Sequence, residues 1–140
     1  MKPILFSAEM VRAIQDLRKT QTRRVIKIDD APENWKISIA GTSIVRTEPY
    51  DVKLPRYEAG DILWVRETWG VPISLAGDII YKADFVDRKA PLADGEKWRP
   101  SIFMPREAAR IFLGVTNVRV ERLQDITDAD ILAEGFKCRE

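Results

Sequence analysis

The stretch Arg18-Lys19-Thr20-Gln21-Thr22-Arg23-Arg24 places four cations and two hydroxyls within seven residues. It lies where a helical pattern of apolar residues gives way to a strand pattern. A helix would carry such a cluster only on a solvated face, whereas a turn from a helix into a strand can aim it at one point. Side chains aimed in this way suit an anion or a polar, phosphate-bearing ligand.

A helix is predicted immediately before this stretch and a strand immediately after it. Ser7 is a favourable N-cap, Glu9 suits the helix dipole, and apolar residues recur at helical spacing, so we expect a helix over residues 8–17. Residues 3–6 are typical of a short strand that leads into this helix. Residues 22–28 are rich in β-branched side chains and predict a strand.

The remaining pattern predicts further short strands and a second helix. Thr127 and Asp130 resemble a capping box that opens a helix, and Gly135 is placed to end it. In residues 110–122, the longest strand candidate, the apolar parity switches at residues 116–117, which predicts a bulge or a bend. The other predicted strands are residues 35–39 and 43–47, which form a hairpin, residues 62–66, which form a central strand, and residues 79–83. Bent strands are typical of small barrels, so we expect an α+β fold: a small bent β-barrel with two or three short helices on its rim.

Length and composition indicate one soluble domain over residues 1–140. Hydrophobic residues make up 45% and charged residues 32% of the chain, as in globular proteins. No apolar run approaches the roughly 20 residues that a membrane span needs, and the N-terminus lacks the pattern of a signal peptide. The single cysteine, Cys138, excludes an intrachain disulfide and fits a reducing compartment. We therefore expect a cytoplasmic protein with no membrane partner.

The chain contains no histidine. This excludes Ser-His-Asp and Cys-His catalysis and every zinc site built on imidazole. Acid–base chemistry near neutral pH must then use Asp, Glu, Lys, Tyr or Cys with a shifted pKa. Helix capping explains Asp128 and Asp130 better than a metal does, so we predict neither a metal nor another cofactor.

Charge is distributed unevenly along the chain although the net charge is only +1. Residues 9–27 hold six cations and two anions, a net charge of +4, whereas residues 121–134 hold five anions and one cation, a net charge of −4. A local basic patch can bind phosphate without a basic protein around it. The alternative is that the two segments neutralise each other across the fold.

Two tryptophans near predicted loops are candidates for stacking on a nucleobase, as aromatic side chains do in clefts for single strands. Trp69 precedes Gly70 and a loop, and Trp98 lies between two cations. Trp64 has apolar neighbours on both sides and is predicted to lie in the core.

Four ordered motifs span nearly the whole chain. They are Lys2-Pro3-Ile4-Leu5-Phe6-Ser7 with the stretch at 18–24, then Gly60-Asp61-Ile62-Leu63-Trp64-Val65-Arg66-Glu67-Thr68-Trp69, then Trp98-Arg99-Pro100-Ser101-Ile102-Phe103-Met104-Pro105-Arg106, and finally Val118-Arg119-Val120-Glu121-Arg122-Leu123-Gln124-Asp125-Ile126. The series resembles phage and prophage proteins that carry an ASCH domain. ASCH domains belong to the PUA-like superfamily, whose small β-barrel has a cleft associated with RNA and modified-nucleoside binding. The resemblance implies a module that binds RNA or a modified nucleoside at the basic corner, with Arg18, Arg23 and Arg24 as ligand contacts beside Trp69 and Trp98.

Small bacterial enzymes of the same superfamily remove the acetyl group from N4-acetylcytidine and carry a Lys-Thr-x-Thr corner. On this chain the resemblance assigns their catalytic lysine and second threonine to Lys19 and Thr22, and their glutamate to Glu134. It implies that Thr22 is the nucleophile, that Lys19 is its base, and that Glu134 holds the lysine or moves a proton. The alternatives are therefore a binding module, an amidohydrolase, or a non-catalytic phage morphogenesis or interaction protein.

The chain departs from this family pattern at the corner, at its C-terminal end, and at Phe103, Glu107 and Ala109, where the phage pattern commonly has His, Trp and Ser. Many relatives have Gly where this chain has Leu17, and a left-handed turn would cost a leucine about 1 kcal/mol or more, so we expect a corner of different geometry. The enzymes also continue beyond their glutamate into a last strand of the barrel. The resemblance thus implies a truncated copy, and an open barrel edge would favour a homodimer.

Overall fold

The structure is a computed structural model that describes residues 1–26, 38–40, 43–45, 57–85 and 89–137. Cys138, the predicted strand residues 27–28, 35–37 and 46–47, and the turn between the two hairpin strands lie outside this part of the chain. The described residues form an α+β fold. Its elements are β1 (Lys2–Leu5), α1 (Ala8–Gln15), β2 (Ser38–Ala40), β3 (Ser43–Val45), β4 (Ile62–Arg66), β5 (Trp69–Gly70), β6 (Ile80–Tyr81), β7 (Phe112–Gly114) and α2 (Asp128–Ala133).

The largest sheet has three strands in the order β1-β4-β7. β1 runs parallel to β4, and β7 runs antiparallel to β4 on its other side. Two further antiparallel pairs are β2 with β3 and β5 with β6, and the first of these confirms the predicted hairpin in its described residues. The described strands do not close into a barrel.

The main core lies between one face of this sheet and α1. Along β4 the alternate residues Leu63 and Val65 are buried, as strand geometry requires of an inward face. The Ser7 hydroxyl accepts a hydrogen bond from the Met10 backbone N–H at 3.3 Å and so caps α1, which buries Val11 against the sheet. The buried residues of this core are Ile4, Phe6, Val11, Leu63, Val65 and Ala83.

Trp64 was predicted to lie in the core, and this prediction is wrong. Trp64 alternates with the buried residues of β4 and therefore points to the opposite face of the sheet, where it is half-buried. Apolar neighbours in sequence do not distinguish the two faces of a strand when only one face is covered.

Three predicted strands are shorter than their sequence patterns indicate or are absent. Of residues 79–83 only Ile80–Tyr81 is a strand, and a short 3₁₀ helix follows at Lys82–Asp84. Residues 22–26 form no strand, because the chain just before them bonds to α2: the N–H groups of Thr20 and Gln21 both donate to the carbonyl of Ala133. Of residues 110–122 only β7 is a strand, since its partner β4 begins at Ile62 and the last backbone bond runs from the Gly60 N–H to the carbonyl of Val115. The predicted parity switch falls just beyond this end of the pairing. Among the described residues, no helix is long and apolar enough to cross a bilayer.

Candidate functional site

The corner begins with a left-handed residue at the end of α1. Leu17 has φ 59°, which reverses the chain so that the N–H groups of Arg18 and Lys19 both donate to the carbonyl of Ala13, at 2.8 and 2.9 Å. An L-residue in this conformation costs roughly 1–2 kcal/mol. The expectation of a different corner geometry is therefore wrong: this chain makes the left-handed turn with a leucine and retains the strain.

The end of α2 meets this corner through an unusually close backbone contact. Lys19 and Glu134 form an isolated antiparallel bridge, and Gly135 follows with φ +95°. A Cβ atom on Gly135 would lie 2.7 Å from the Cβ of Ala13 and 3.1 Å from the Cβ of Lys19. Glycine is thus required here twice, for its backbone conformation and for the space it leaves. The predicted capping box at Thr127 and Asp130 is confirmed at the other end of α2.

Lys19 is buried at the centre of the corner, with its side chain 2% exposed. Its Nζ donates to the carbonyl of Gln21 at 2.6 Å, to the carbonyl of Glu134 at 3.0 Å and to Oε2 of Glu134 at 2.9 Å. The ring centroid of Phe6 lies 5.6 Å from the same nitrogen. Three acceptors match the three N–H donors of an ammonium group, so the charged form of the lysine is fully hydrogen-bonded.

Glu134 links this lysine to a wider set of charges. Its Oε1 lies 3.2 Å from Nη1 of Arg23, whose Nε donates to Oε1 of Glu121 at 2.7 Å. Arg119 then bridges Oε2 of Glu121 and Oδ1 of Asp130, at 3.0 and 2.9 Å. We call Lys19, Arg23, Arg119, Glu121, Asp130 and Glu134 the corner cluster. Three cations and three carboxylates alternate in it, so the basic and acidic segments do neutralise each other here.

Two members of the corner cluster, Asp130 and Arg23, have pKa values shifted in the direction that favours their charged forms. Hydrogen bonds from the side chain and the backbone N–H of Thr127, and then from Arg23, keep the pKa of Asp130 well below its ordinary value. Desolvation lowers the pKa of Arg23, but bonds to Glu121, Asp130 and Glu134 outweigh it and raise that pKa. Nη2 of Arg23 is buried 3.1 Å from Oδ1 of Asp130 without a well-aligned hydrogen bond, so this donor is incompletely used.

Three other predicted site residues border the corner cluster in different ways. Thr22 is half-buried, and within the described ranges no hydrogen bond joins its hydroxyl to Lys19 or Glu134. Arg18 is committed to Asp16 at 2.8 Å and to the carbonyl of Gly135 at 2.6 Å. Arg24 is exposed and donates to the backbone carbonyls of Arg23 at 2.9 Å and Leu5 at 3.3 Å.

Trp69 and Trp98 belong to a different part of the molecule. Trp69 is only 6% exposed and packs with Met104 and Ala108, while the guanidinium of Arg99 lies 4.8 Å from its ring centroid. Trp98 is half-buried, 6.0 Å from the ring of Phe85. The structure therefore brings Lys19, Arg23 and Glu134 together and places both tryptophans in or beside a second core. Stacking on a base stays a prediction for both.

A second buried ion cluster was missed by the sequence analysis. Arg110 donates Nε and Nη2 to the two carboxylate oxygens of Glu67, at 2.8 and 2.9 Å, and Nη1 and Nη2 to Asp84, at 2.7 and 3.0 Å. Its guanidinium also lies 4.0 Å from the ring centroid of Tyr81. Glu67 continues the alternation of Leu63 and Val65, whose side chains point into the core. This alternation predicts that the Glu67 carboxylate is buried and therefore requires a cation beside it. We call Glu67, Asp84 and Arg110 the Arg110 cluster.

Burial also affects pKa values in and beside this second cluster. It raises the pKa of Tyr81, whose hydroxyl donates to the carbonyl of Ala108 at 2.8 Å. Desolvation lowers the pKa of Arg110, but its bonds to Glu67 and Asp84 outweigh this effect and raise it. Every polar atom of the Arg110 side chain is thereby committed to a carboxylate, so the cluster fits a structural role.

No protein-family model, curated protein or solved structure matches the chain. Its function is therefore inferred from the geometry of the corner and from the motifs quoted above.

Proposed function

We propose that the chain is a PUA-like module that binds a modified nucleoside of the N4-acylated cytidine class, free or within RNA, at the corner cluster. The observation that carries this proposal is the 2.9 Å contact between Nζ of Lys19 and Oε2 of Glu134. These two residues are 115 positions apart, and the motif resemblance independently assigns both of them to one site. The mixed sheet formed by β1, β4 and β7 is compatible with a PUA-like barrel.

Charge balance favours a nucleoside over a long polyanion at this position. The corner cluster is neutral as a whole, so it lacks the excess positive charge that draws a nucleic-acid backbone. Among the described residues, no hydrogen bond engages the Thr22 hydroxyl, which suits the polar edge of a base, whereas the incompletely used Nη2 donor of Arg23 is buried. Arg24, exposed at its border, is placed for a single phosphate.

A second candidate function is hydrolysis of the acyl amide at the same site. The burial of Lys19 next to a carboxylate favours it, because a lysine can exchange a proton where an arginine cannot. Lys19 has no free lone pair while it bonds to three acceptors, so it must first pass a proton to Glu134. The neutral amine can then take the proton of Thr22 as its hydroxyl oxygen attacks the acyl carbon.

The remaining steps release cytidine first and acetate second. The acyl group forms an ester with Thr22, the C–N bond to the base breaks, and the amine of cytidine leaves with a proton from Glu134. Water then hydrolyses the ester, which releases acetate and restores the threonine. One water is consumed for each cytidine and acetate formed.

Calorimetric titration with N4-acetylcytidine, cytidine and a short single-stranded RNA tests the binding function. We expect Thr22→Val to weaken binding of the acylated nucleoside about 2- to 10-fold through one lost hydrogen bond. Thr20→Val is the matched control, since Thr20 is exposed two residues away and should bind like the wild type. Equal affinities for all three proteins would place the ligand elsewhere. Absence of binding by folded wild type would leave the interaction protein as the remaining hypothesis.

Chromatographic detection of cytidine released from N4-acetylcytidine tests hydrolysis. Glu134→Gln keeps an acceptor for Lys19 but cannot take its proton, so turnover should be lost while binding persists. Glu121→Gln removes a carboxylate from the same cluster without touching the lysine, and it should retain turnover. If both variants lose activity equally, the effect is structural and Glu134 has no special part in the chemistry.

A further inference from the structure

On the face of the three-stranded sheet that points away from the main core, one proline and two aromatic side chains lie side by side across the strands. The register pairs Pro3 of β1 with Trp64 of β4, and Trp64 with Phe112 of β7. Paired residues point to the same side of a sheet, about 4.8 Å apart from strand to strand. Phe112 is 50% exposed, Pro3 is exposed and Trp64 is half-buried. Three ring side chains thus lie next to one another and face outward.

Apolar side chains extend this row along the strands. Leu5 and Ile62 have the same parity as Pro3 and Trp64 and are both exposed. Gly114, paired with Ile62, adds no side chain, and a Cβ atom there would meet nothing within 4 Å. The outer face is defined here as Pro3, Leu5, Ile62, Trp64, Arg66 and Phe112.

Three arginines lie on or beside the outer face. Arg66 lies 5.2 Å from the ring centroid of Trp64 and donates to the carbonyls of Ile102 and, at 3.1 Å, Met104. Arg106 contacts the sulfur of Met1 at 3.0 Å, and Arg24 donates to the carbonyl of Leu5. In the part of the chain that the structure describes, none of the three guanidinium groups forms an ion pair with a carboxylate.

We propose that the outer face binds single-stranded nucleic acid. Bases stack on Trp64 and Phe112, and phosphates meet Arg66, Arg106 and Arg24. Aromatic faces bordered by cations are the combination that single strands require, because unpaired bases offer their faces and the backbone offers its charge. This surface lies on the opposite side of the sheet from the core that holds Phe6 and Lys19. It is therefore a separate surface from the nucleoside site at the corner, and the two meet at Arg24, which borders both.

The charge pattern favours an anionic partner over a second copy of this chain. In a two-fold contact the same patch meets itself, so the arginines of one copy would face those of the other and repel them. A single strand supplies the opposite charge along its whole length. Arg24 also stands 6.0 Å from the ring of Phe6, next to the corner, so a strand held on the outer face extends towards the nucleoside site.

Fluorescence anisotropy with a labelled single-stranded oligoribonucleotide, and with its duplex, tests this inference. Phe112→Ala should weaken single-strand binding about tenfold, the effect of one lost base stack, whereas Phe112→Tyr should bind like the wild type. Phe136→Ala is the matched control, because Phe136 is 66% exposed but follows α2 and belongs to no strand of the sheet. The duplex hides its base faces and should bind more weakly than the single strand. Circular dichroism of each variant establishes that it is folded.

The arginines have a separate readout in the salt dependence of binding. Arg106→Gln should reduce the slope of log affinity against log salt by about 0.7, the loss of one phosphate contact on a single strand. Arg122→Gln, an exposed arginine outside this face, should leave the slope unchanged.

Three results would overturn the inference. They are unaltered binding by Phe112→Ala, equal affinity for duplex and single strand, and a wild-type dimer that Phe112→Ala converts to a monomer in sedimentation. The last result would make the outer face a contact between copies. Titration of the same variants with N4-acetylcytidine separates this surface from the corner, because Phe112→Ala should bind the nucleoside as the wild type does.

Discussion

The corner cluster and the Arg110 cluster both bury charge, but they are built from different parts. In the Arg110 cluster one guanidinium lies between two carboxylates, and Glu67 is 1% exposed. In the corner cluster cations and carboxylates alternate in equal number, and Glu134 retains 14% exposure. The Arg110 cluster joins Glu67, just after β4, Asp84, in a short 3₁₀ helix, and Arg110, just before β7. The corner cluster instead lies beside a left-handed leucine and a glycine in close contact.

This difference separates a structural cluster from a candidate site. An arginine keeps its proton under all ordinary conditions, so the Arg110 cluster can hold the fold but cannot move a proton. The corner cluster contains a lysine, which can, and its backbone stores strain at Leu17. Strain of this kind persists at functional sites because the surrounding structure over-determines it. Buried charge alone is therefore weak evidence for function, while buried charge with an exchangeable proton and a strained backbone is stronger.

The largest effect should come from removing the cation of each cluster in turn. Arg110→Ala leaves Glu67 buried without a cation and should lower the free energy of unfolding by about 3–5 kcal/mol. Lys19→Ala leaves Glu134 paired with Arg23, so the loss should be only about 1–3 kcal/mol. Urea denaturation of both variants measures the two losses.

Arg110→Lys provides the control for charge alone. It retains the positive charge but loses both two-point contacts, so its stability should fall between those of the wild type and Arg110→Ala. Equal losses in the free energy of unfolding for Arg110→Ala and Lys19→Ala would mean that both clusters stabilise the fold to the same extent. The two clusters would then not differ in their structural role.

The close contact at Gly135 gives the next largest effect. Gly135→Ala and Gly95→Ala both place alanine at a positive φ, near +95° and +90°, but a Cβ at Gly95 would meet nothing within 4 Å. The shared backbone penalty should be about 1–2 kcal/mol, and the clash with Ala13 should add roughly 1–3 kcal/mol at Gly135 alone. Thermal unfolding of the pair measures the difference. Equal losses would mean that α2 moves away from α1 at little cost.

The smallest predicted effect is a gain in the stability of the fold. Leu17→Gly relieves the left-handed strain at a side chain that is 88% exposed, and we expect stability to rise by up to about 1 kcal/mol after the larger entropy of the unfolded glycine is counted. Leu123→Gly, also at an exposed leucine but without positive φ, should destabilise the protein. A loss of stability in Leu17→Gly would indicate that this leucine makes contacts that offset its strain.

Local sequence patterns predicted the elements that local interactions determine. The Ser7 cap and the Thr127 and Asp130 capping box depend on residues a few positions apart, and both are present. The predicted strand at Ile62–Arg66 is also present, because β1 and β7 pair with it. The charge segments at 9–27 and 121–134 were correctly seen as able to neutralise each other, because opposite charges of equal number favour contact.

Features that depend on distant partners were not predictable in the same way. A β-branched run at residues 22–26 becomes a strand only if another strand lies beside it, and α2 occupies that place through Ala133. The partner of Glu67 is Arg110, which lies 43 residues away, and no spacing rule connects them. Trp69 and Trp98 could be identified as aromatic candidates from the sequence, but their burial could not be predicted. Trp69 packs against Met104 and Trp98 lies beside Gly70, and these contacts form only when the chain folds.

The contact between Lys19 and Glu134 spans 115 residues, and this separation determines when the corner can exist during protein synthesis. A ribosome adds about 5–20 residues per second, so Lys19 is made roughly 6–23 s before its counter-ion. Contacts over such distances also close slowly, because a long loop must be ordered first. α1 can form early, but the lysine stays without its carboxylate until α2 has been translated and has docked. The candidate site is thus among the late products of folding, and a nascent chain interrupted before residue 134 carries the scaffold without it.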